Sequence, residues 1–455
     1  MTTQTEDQLA TFSPSPSPQP DAFPCFAQGD VLIVLTPLEK LRLHSDVLRN
    51  ASTLLAGFLT PTNAAVLAKK ALTDHSHVRY RLELVDVSHG IGESPGRLAM
   101  VVRTPPSTAA SLETNAEWQR LDTNGHPVRD PHAPRASMYL SSHGADPALG
   151  SVLPAWRAVF GTMYGQEIHF HHGGGDGDDD LAGLIRAAST ILDIVDHLQL
   201  RNKILTPLEL ALLGNEQRLW KSVCTAPIAW AELGTRLKSF PIWREAVLHV
   251  VGGWNEWTEV QKSGLRRDVG AFVEKKAKRF DEFKEVLEQK LLGYRHKKID
   301  FDAGEQPKGK KIQESDVFYW QAQWLWVNWL ARRFREGMGR RAKDGGWELY
   351  KMIWEGAWAD PMEQRKASPL TESGMKVVRQ IIGEMTADLQ KIVAGVMVSK
   401  LKLDHGQVVA ERLANFTIEL KDAPWDTKKG KHRAKRRRVE SDHLPLPNED
   451  DDELD

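Results

Sequence analysis

The hydrophobic and polar positions show two periodicities in the first 170 residues and a single one afterwards. Residues 31–35 form a continuous apolar, partly β-branched run, which predicts a buried strand. Residues 77–87 alternate apolar with charged side chains, which predicts a half-exposed strand, and residues 97–103 predict another. After residue 170 the apolar spacings are those of helices, so the strands are expected only in the N-terminal part.

Helical spacing begins after a short second strand that ends at His44. Residues 44–59 carry apolar side chains three and four positions apart, and Ser45 is placed to cap this helix. Residues 152–164 and 181–200 show the same spacing on either side of a Gly/Asp-rich spacer. We expect these two segments to form an antiparallel helical hairpin.

The C-terminal half is helical in pattern and rich in tryptophan. Residues 316–334 carry Trp320, Trp324, Trp326 and Trp329 at spacings that place indoles on two faces of one helix. Because an indole buries a large area, we expect this helix to be packed on both sides inside a bundle. A partner-facing groove is the alternative, since tryptophan is enriched at binding hot spots.

These patterns predict an α+β N-terminal domain, in which a small sheet is flanked by helices, followed by an all-α C-terminal region. The long stretch rich in Pro, Ser and Gly inside the first domain is expected to be an insertion. The predicted segments are a disordered Ser/Pro-rich tail over 1–28, the α+β domain over 29–205 with its insertion at about 88–151, a helical region over 206–294, a basic linker over 295–315, a Trp-rich helical region over 316–420, and a disordered basic then acidic tail over 421–455.

Composition narrows the class of protein. The net charge is −1, so the whole molecule has no electrostatic bias toward nucleic acid. Cys25 and Cys224 lie far apart in the sequence, which argues against a disulfide framework or a zinc module and fits a reducing compartment. No apolar run approaches the roughly 20 residues of a membrane span, and the N-terminus lacks the features of a signal peptide. We therefore expect an intracellular protein without a membrane partner.

A basic block near the C-terminus is the clearest short motif. It has almost no apolar content, so its side chains are expected to stay in water. A basic run of this kind is typical of a nuclear import signal that an import receptor binds. The alternatives are a plain solvated tail and a nucleic-acid contact, which would be unspecific because it rests on phosphate charge alone. We expect the protein in the nucleus and otherwise in the cytoplasm. The predicted signal residues are Lys428, Lys429, Lys431, Arg433, Lys435, Arg436, Arg437 and Arg438.

Catalytic and metal-binding chemistry finds little support in the sequence. His171 and Asp176 could reach one metal ion, but their glycine-rich surroundings favour a solvated loop tip over a rigid metal site. His44 could act as a base, but it has no acid partner or nucleophile in a recognisable spacing, so we interpret it as structural. The chain also lacks phosphate-binding glycine loops and hydrolase motifs. We expect a protein that is not an enzyme, with no catalytic residue, metal or cofactor.

Four pieces of the N-terminal part, taken in order, carry a resemblance to a known family. They are Asp30 with Val31 at the first strand, the helix residues His44, Val47, Leu48 and Ser52, the sequence FGTMYG at 160–165, and the Ala/Leu-rich segment 181–200. This order resembles a BTB/POZ domain over about residues 29–205, and the insertion and Trp-rich C-terminal half resemble BTB/POZ proteins of filamentous fungi.

The resemblance implies a scaffold or adaptor that binds other proteins or a second copy of itself. The implied interface candidates are Asp30, His44, Ser45, Val47 and Leu48. Many dimeric members pair the acid at the position of Asp30 with a basic residue where this chain has Ser45, and such a charge-assisted contact is worth roughly 1.5–3 kcal/mol. No segment after the domain resembles a cullin-binding element. A nucleic-acid-associated regulator that binds through its basic tail is the alternative function.

Deletion of residues 428–439 tests the import signal. A fluorescent fusion of the full chain is expected to lose its nuclear enrichment after the deletion, because the cluster of cations that an import receptor would read is gone. Fluorescence microscopy of living cells measures the ratio of nuclear to cytoplasmic signal. Deletion of the acidic residues 448–455 is the matched control, and an unchanged ratio for the 428–439 deletion would refute the signal.

Overall fold

The computed structural model describes residues 22–36, 38–65, 78–88, 94–103, 118–121, 149–170, 181–299, 316–359, 371–404 and 412–426. The chain divides into two compact units, Met1–Gly214 and Asn215–Asp455. The first unit contains a small mixed sheet, and all elements of regular secondary structure among the described residues of the second are helices. The predicted order, an α+β part followed by an all-α part, is therefore confirmed, while the finer domain boundaries stay predictions.

The sheet of the first unit has five strands in the order β2-β1-β3-β4-β5. Strands β1 and β3 run parallel, and the other neighbours are antiparallel. The last strand lies inside the part of the predicted insertion that follows residue 103, for which the sequence pattern predicts no strand. The strands are β1 (Val31–Val34), β2 (Lys40–Leu43), β3 (Tyr80–Ser88), β4 (Ser94–Arg103) and β5 (Trp118–Leu121).

Burial in β1 follows the sequence pattern, whereas β3 departs from its alternating pattern at one residue. All four residues of β1 are buried, as the continuous apolar run predicts. In β3, Leu82 and Leu84 are buried as expected, but Arg81 on the opposite face is also only 4% exposed. Its guanidinium donates to the Glu83 carboxylate at 2.8 Å. The prediction of a half-exposed strand was wrong here, because alternation shows which residues share a face and not whether that face is covered.

The first unit's helices pack beside this sheet. The predicted hairpin segments are present as helices in contact with each other, and the ring of Trp156 in the middle of one lies 6.3 Å from that of His197 at the end of the other. The indole N–H of Trp156 donates to the Pro95 carbonyl of β4 at 2.8 Å, which ties the pair to the sheet. The helices are α1 (Ser45–Ala51), α2 (Thr53–Phe58), α3 (Leu149–Met163), α4 (Leu181–His197) and α5 (Arg201–Leu213).

The helix predicted over 44–59 is interrupted at Ser52. This residue is extended, with φ −132° and ψ 128°, and separates α1 from α2. Its hydroxyl accepts from the backbone N–H of Leu55 at 3.0 Å and donates to the Leu198 carbonyl at 2.6 Å. Serine competes with the helical backbone in this way, and the contact with Leu198, 146 residues away, is absent from any local pattern.

The second unit is a helical assembly with one large apolar core. The core gathers the inward faces of its longer helices and includes Trp326, Leu349 and Met385, all fully buried. The helices are α6 (Glu216–Thr225), α7 (Pro227–Leu237), α8 (Phe240–Gly252), α9 (Glu259–Ser263), α10 (Arg267–Leu292), α11 (Asp316–Arg335), α12 (Trp347–Trp354) and α13 (Glu372–Met397).

Segments predicted as tails or linkers are partly packed. Phe23 and Phe26 lie against Tyr164, so these two residues of the segment predicted as a disordered tail over 1–28 are packed. In the predicted linker 295–315, His296 is buried. In the predicted tail 421–455, the ring of Trp425 lies 5.7 Å from that of Trp243. Short aromatic segments of this kind have polar neighbours in sequence, so their burial depends on tertiary contacts that local composition does not show.

Candidate interaction surfaces

Asp30 organises the corner where the first strand meets the first helix. Its carboxylate accepts from the backbone N–H of Ser45 at 2.7 Å and from the Ser45 hydroxyl, also at 2.7 Å. Helix α1 has His44 at its N-cap position, and that residue makes no side-chain cap bond. The prediction that Ser45 caps the helix was therefore wrong, because an acid from the neighbouring strand satisfies the helix N-terminus instead.

Arg49 supplies a cation at this corner that sequence reasoning missed. Its guanidinium donates to the Ser45 hydroxyl oxygen at 2.9 Å and to the Asp46 carboxylate at 2.9 Å. The Ser45 hydroxyl thus lies between Arg49 and Asp30, and its oxygen both accepts and donates. The signal that could have found Arg49 is its helical spacing of four from Ser45, which places both on one face.

His44 is held by aromatic neighbours. Its backbone N–H donates to the Tyr164 hydroxyl at 2.8 Å, and its ring centroid lies 4.8 Å from that of Phe26. Burial raises the pKa of Tyr164 above its ordinary value, and the charge of Asp30 adds to the effect, so the phenol stays neutral near pH 7. The ring of His44 thus packs at a tilt against Phe26 and Tyr164, the environment expected for a structural residue.

The five candidates implied by the BTB/POZ resemblance differ in accessibility. Leu48 is fully buried and Ser45 nearly so, whereas Asp30, His44 and Val47 are half-buried. Leu48 therefore belongs to the core of the first unit, and only the half-buried members can touch a partner without rearrangement.

The other predicted sites lie mostly outside the described residues. His171, Asp176 and the basic residues 428–438 all fall in undescribed segments. Within the described ranges, no group of three or more His, Cys, Asp or Glu side chains is placed to hold a metal ion. Among the helices that the structure describes, none is long and apolar enough to cross a membrane.

Helix α11 buries one face in the core and leaves another about half exposed. Trp326 and Trp329 point into the core with ring centroids 5.7 Å apart, as the bundle interpretation predicts. The opposite face carries four large apolar residues that are about half exposed, from 47% for Trp320 to 55% for Val317. We call this set the tryptophan stripe; its members are Val317, Trp320, Trp324 and Val327. At this face the burial is therefore smaller than the expectation of packing on both sides implies.

A buried pair of titratable side chains lies inside the second unit. His249 and Glu245 are fully buried on α8. Burial, with the charge of Arg412, lowers the pKa of His249 to about 3, and burial raises the pKa of Glu245. Glu245 accepts the backbone N–H groups of Lys402 and Leu403 at 2.7 and 3.3 Å. Glu245 therefore helps to hold the segment after α13 in place.

Comparison with known proteins gives a match in the second unit alone. The fungal FF domain family matches residues 295–395, which contain α11, α12 and most of α13. FF domains are protein-interaction modules. Among curated proteins nothing matches, and no solved structure matches either. The match covers less than a quarter of the chain, and the BTB/POZ resemblance of the first unit draws no support from it.

The structure shows why the matching segment begins inside the predicted linker. The backbone N–H of His296 donates to the side-chain oxygen of Gln323 on α11 at 3.1 Å. The side-chain amide of Gln323 donates in turn to the Tyr294 carbonyl at 2.7 Å. The ring of His296 stacks on Tyr319 at 5.1 Å. The residues around 295 are therefore part of the α11 packing.

Replacement of Asp30 by alanine tests the corner of the first unit. Loss of the carboxylate leaves the buried Ser45 N–H and hydroxyl without their acceptor, so we expect the free energy of unfolding of this unit to fall by about 1.5–3 kcal/mol. Urea denaturation of the full chain measures the change. Asp46→Ala removes an exposed carboxylate of the same helix and should change stability by less than about 0.5 kcal/mol. Equal effects of the two substitutions would contradict the assignment.

Proposed function

We propose that this protein is a non-enzymatic interaction scaffold that binds a protein partner through the tryptophan stripe. The observation that carries the proposal is the exposure of Val317, Trp320, Trp324 and Val327 on one face of α11, inside the segment that matches the FF domain. An interaction module needs a surface whose burial in a complex lowers the free energy. Half-exposed apolar side chains such as those of the stripe provide a surface of this kind.

The arrangement and residue types of the stripe favour a binding role over chance exposure. Single apolar side chains are common on protein surfaces, but a contiguous set on one helix face is typical of an interaction site. Two of the four are tryptophans, the residue type most enriched at binding hot spots. The opposite face of α11 packs into the core through Trp326 and Trp329.

The first unit is proposed to act as a second interaction module of the BTB/POZ type. The order of strand, second strand, His44 and helix supports this, together with the Asp30 corner. Arg49 supports it further, because it brings a cation to the corner where Ser45 lacks one. A nuclear location is proposed on the basic residues 428–438 alone.

Removal of the two outer indoles tests the stripe. Trp320→Ala with Trp324→Ala is expected to weaken partner binding at least about 30-fold, since each hot-spot truncation costs about 2 kcal/mol or more. Quantitative affinity capture of the full chain from cells measures which proteins are lost. Trp354→Ala with Val377→Ala is the matched control, because both residues are similarly exposed but lie outside the stripe. Identical captured sets for both double variants would refute the proposal.

The mass of the isolated first unit tests the BTB/POZ proposal. Residues 22–214 are expected to form a dimer, because family members of this kind associate through the corner around Asp30 and His44. Size-exclusion chromatography with light scattering gives the mass. Asp30→Ala should shift it toward the monomer, whereas Asp46→Ala should not. A strict monomer that also captures no partner would remove this part of the proposal.

A further inference from the structure

A groove in the second unit combines an aromatic floor with positive charge at its rim. It lies between α10 and the segment 413–418, which has no regular secondary structure, and its volume is about 350 Å³. We call it the α10 groove. Its lining includes Lys276, Arg279, Phe280, Phe283, Phe416 and Thr417. The four members from α10 lie three or four residues apart, so they share one face of that helix.

Three phenylalanines form the floor of the α10 groove. The rings of Phe280 and Phe416 lie 5.3 Å apart. Phe283, one turn further along α10, is 46% exposed. Its ring lies over the bare backbone of Gly395 on α13, because a β-carbon built on that glycine would stand 3.4 Å from the ζ carbon of the ring. Covering such a ring with an apolar side chain is favourable, since it removes apolar surface from water.

The rim of the α10 groove is positively charged. Arg279 and Lys400 are exposed, and neither forms an ion pair with a residue that the structure describes. The ammonium group of Lys400 donates to the Thr417 hydroxyl at 3.0 Å, which places it at the rim. The charge of Lys276 is partly balanced by Asp422 at 3.6 Å. Among the described residues that line the groove none is an acid, so the groove fits an acidic segment that also carries apolar side chains.

The chain leaves the described part of the structure close to this groove. Asp422 pairs with Lys276 of the groove, and the description ends at Asp426, four positions later. Four residues span at most about 14 Å. Eighteen positions separate Asp426 from Leu444, and that length of chain can span up to about 60 Å when extended. Residues from 444 onward can therefore reach the groove.

The segment 444–455, LPLPNEDDDELD, has both features that the groove fits. Leu444 and Leu446 are apolar, and residues 449–455 contain six acids. The basic block 428–439 is another cationic site within reach of these acids. However, that block has almost no apolar content, so it offers the two leucines no surface to cover.

We propose that residues 444–455 dock in the α10 groove of the same chain. The leucines cover Phe283, and the acidic run lies along Arg279 and Lys400. A covalent connection raises the effective concentration of such a segment to about the millimolar range, so even a weak contact is populated. The docked segment closes the predicted import signal into a loop between two anchored points. This inference does not depend on the tryptophan stripe.

Crosslinking within the full-length chain tests the docking. The chain carries Thr417→Cys at the exposed rim and Leu446→Cys in the acidic segment, with Cys25→Ser so that only the buried Cys224 remains. A short bismaleimide is expected to link positions 417 and 446 within one chain. Intact mass and peptide mapping identify the link and separate it from linked dimers.

Val377→Cys with Leu446→Cys is the matched control. Val377 is exposed on α13, and it lies 18 residues, or about 27 Å along the helix, from the groove wall at Gly395. We expect the link to position 417 to form at least fivefold faster than the link to position 377. Arg279→Glu should slow the first link at least threefold, whereas Lys290→Glu, exposed on the same helix two turns beyond the groove, should not.

Hydrogen exchange of the full chain gives a second measurement that leaves every described residue unchanged. Replacing the five acids of 449–453 by their amides should make exchange in peptides covering 413–418 at least threefold faster, because the docked segment is released. If the Thr417→Cys variant fails to fold, this measurement decides alone.

Three results would overturn the proposal. Equal rates at positions 417 and 377 would place the acidic run elsewhere, such as on the basic block. Linked dimers in place of the link within one chain would assign the groove to the segment of a second copy. Unchanged exchange after the amide substitutions would show that the acids do not hold a cover over the groove.

Discussion

Burial of Trp326 is the interaction on which the second unit depends. Its ring lies at the centre of the core, 5.7 Å from Trp329 and 5.1 Å from Trp358, and its indole N–H donates to the Leu291 carbonyl at 3.3 Å. A buried indole is favourable only when its one polar group finds a partner, and here it does. This contact fixes the rotation of α11 about its own axis, and that rotation decides which side chains point outward.

The surface of α11 follows from this constraint. A helix with tryptophan on two faces can bury only one of them in its own core, unless further elements cover the other. Because Trp326 is directed inward, Trp320 and Trp324 are directed outward, at about half exposure. The match of this segment to the FF domain, an interaction module, supports our proposal that the outward face binds a partner. The same packing that stabilises the unit therefore creates the surface that we propose as its interface.

In the first unit, a single acid connects the sheet to the helix that follows. Asp30 satisfies the N-terminus of α1 through Ser45, and Arg49 reaches the same hydroxyl from within the helix. The backbone carbonyl of Asp30 also accepts from Arg79 and Tyr80, so that one residue joins β1, β3 and α1. This corner contains the residues that carry the BTB/POZ resemblance, and its geometry explains why an acid is needed there whatever the protein binds.

The sequence by itself determined the class of the longer helices and of the first strands, because periodicity reports which residues share a face. It predicted the strand at 31–35, the helices of the C-terminal half and the order of an α+β part before a helical one. Which faces are covered was decided only by the tertiary structure. Arg81 is buried although its pattern is that of an exposed residue, and Trp320 is exposed although its pattern is that of a buried one. Burial depends on neighbours distant in sequence, such as Leu198 beside Ser52, and a local pattern contains no information about them.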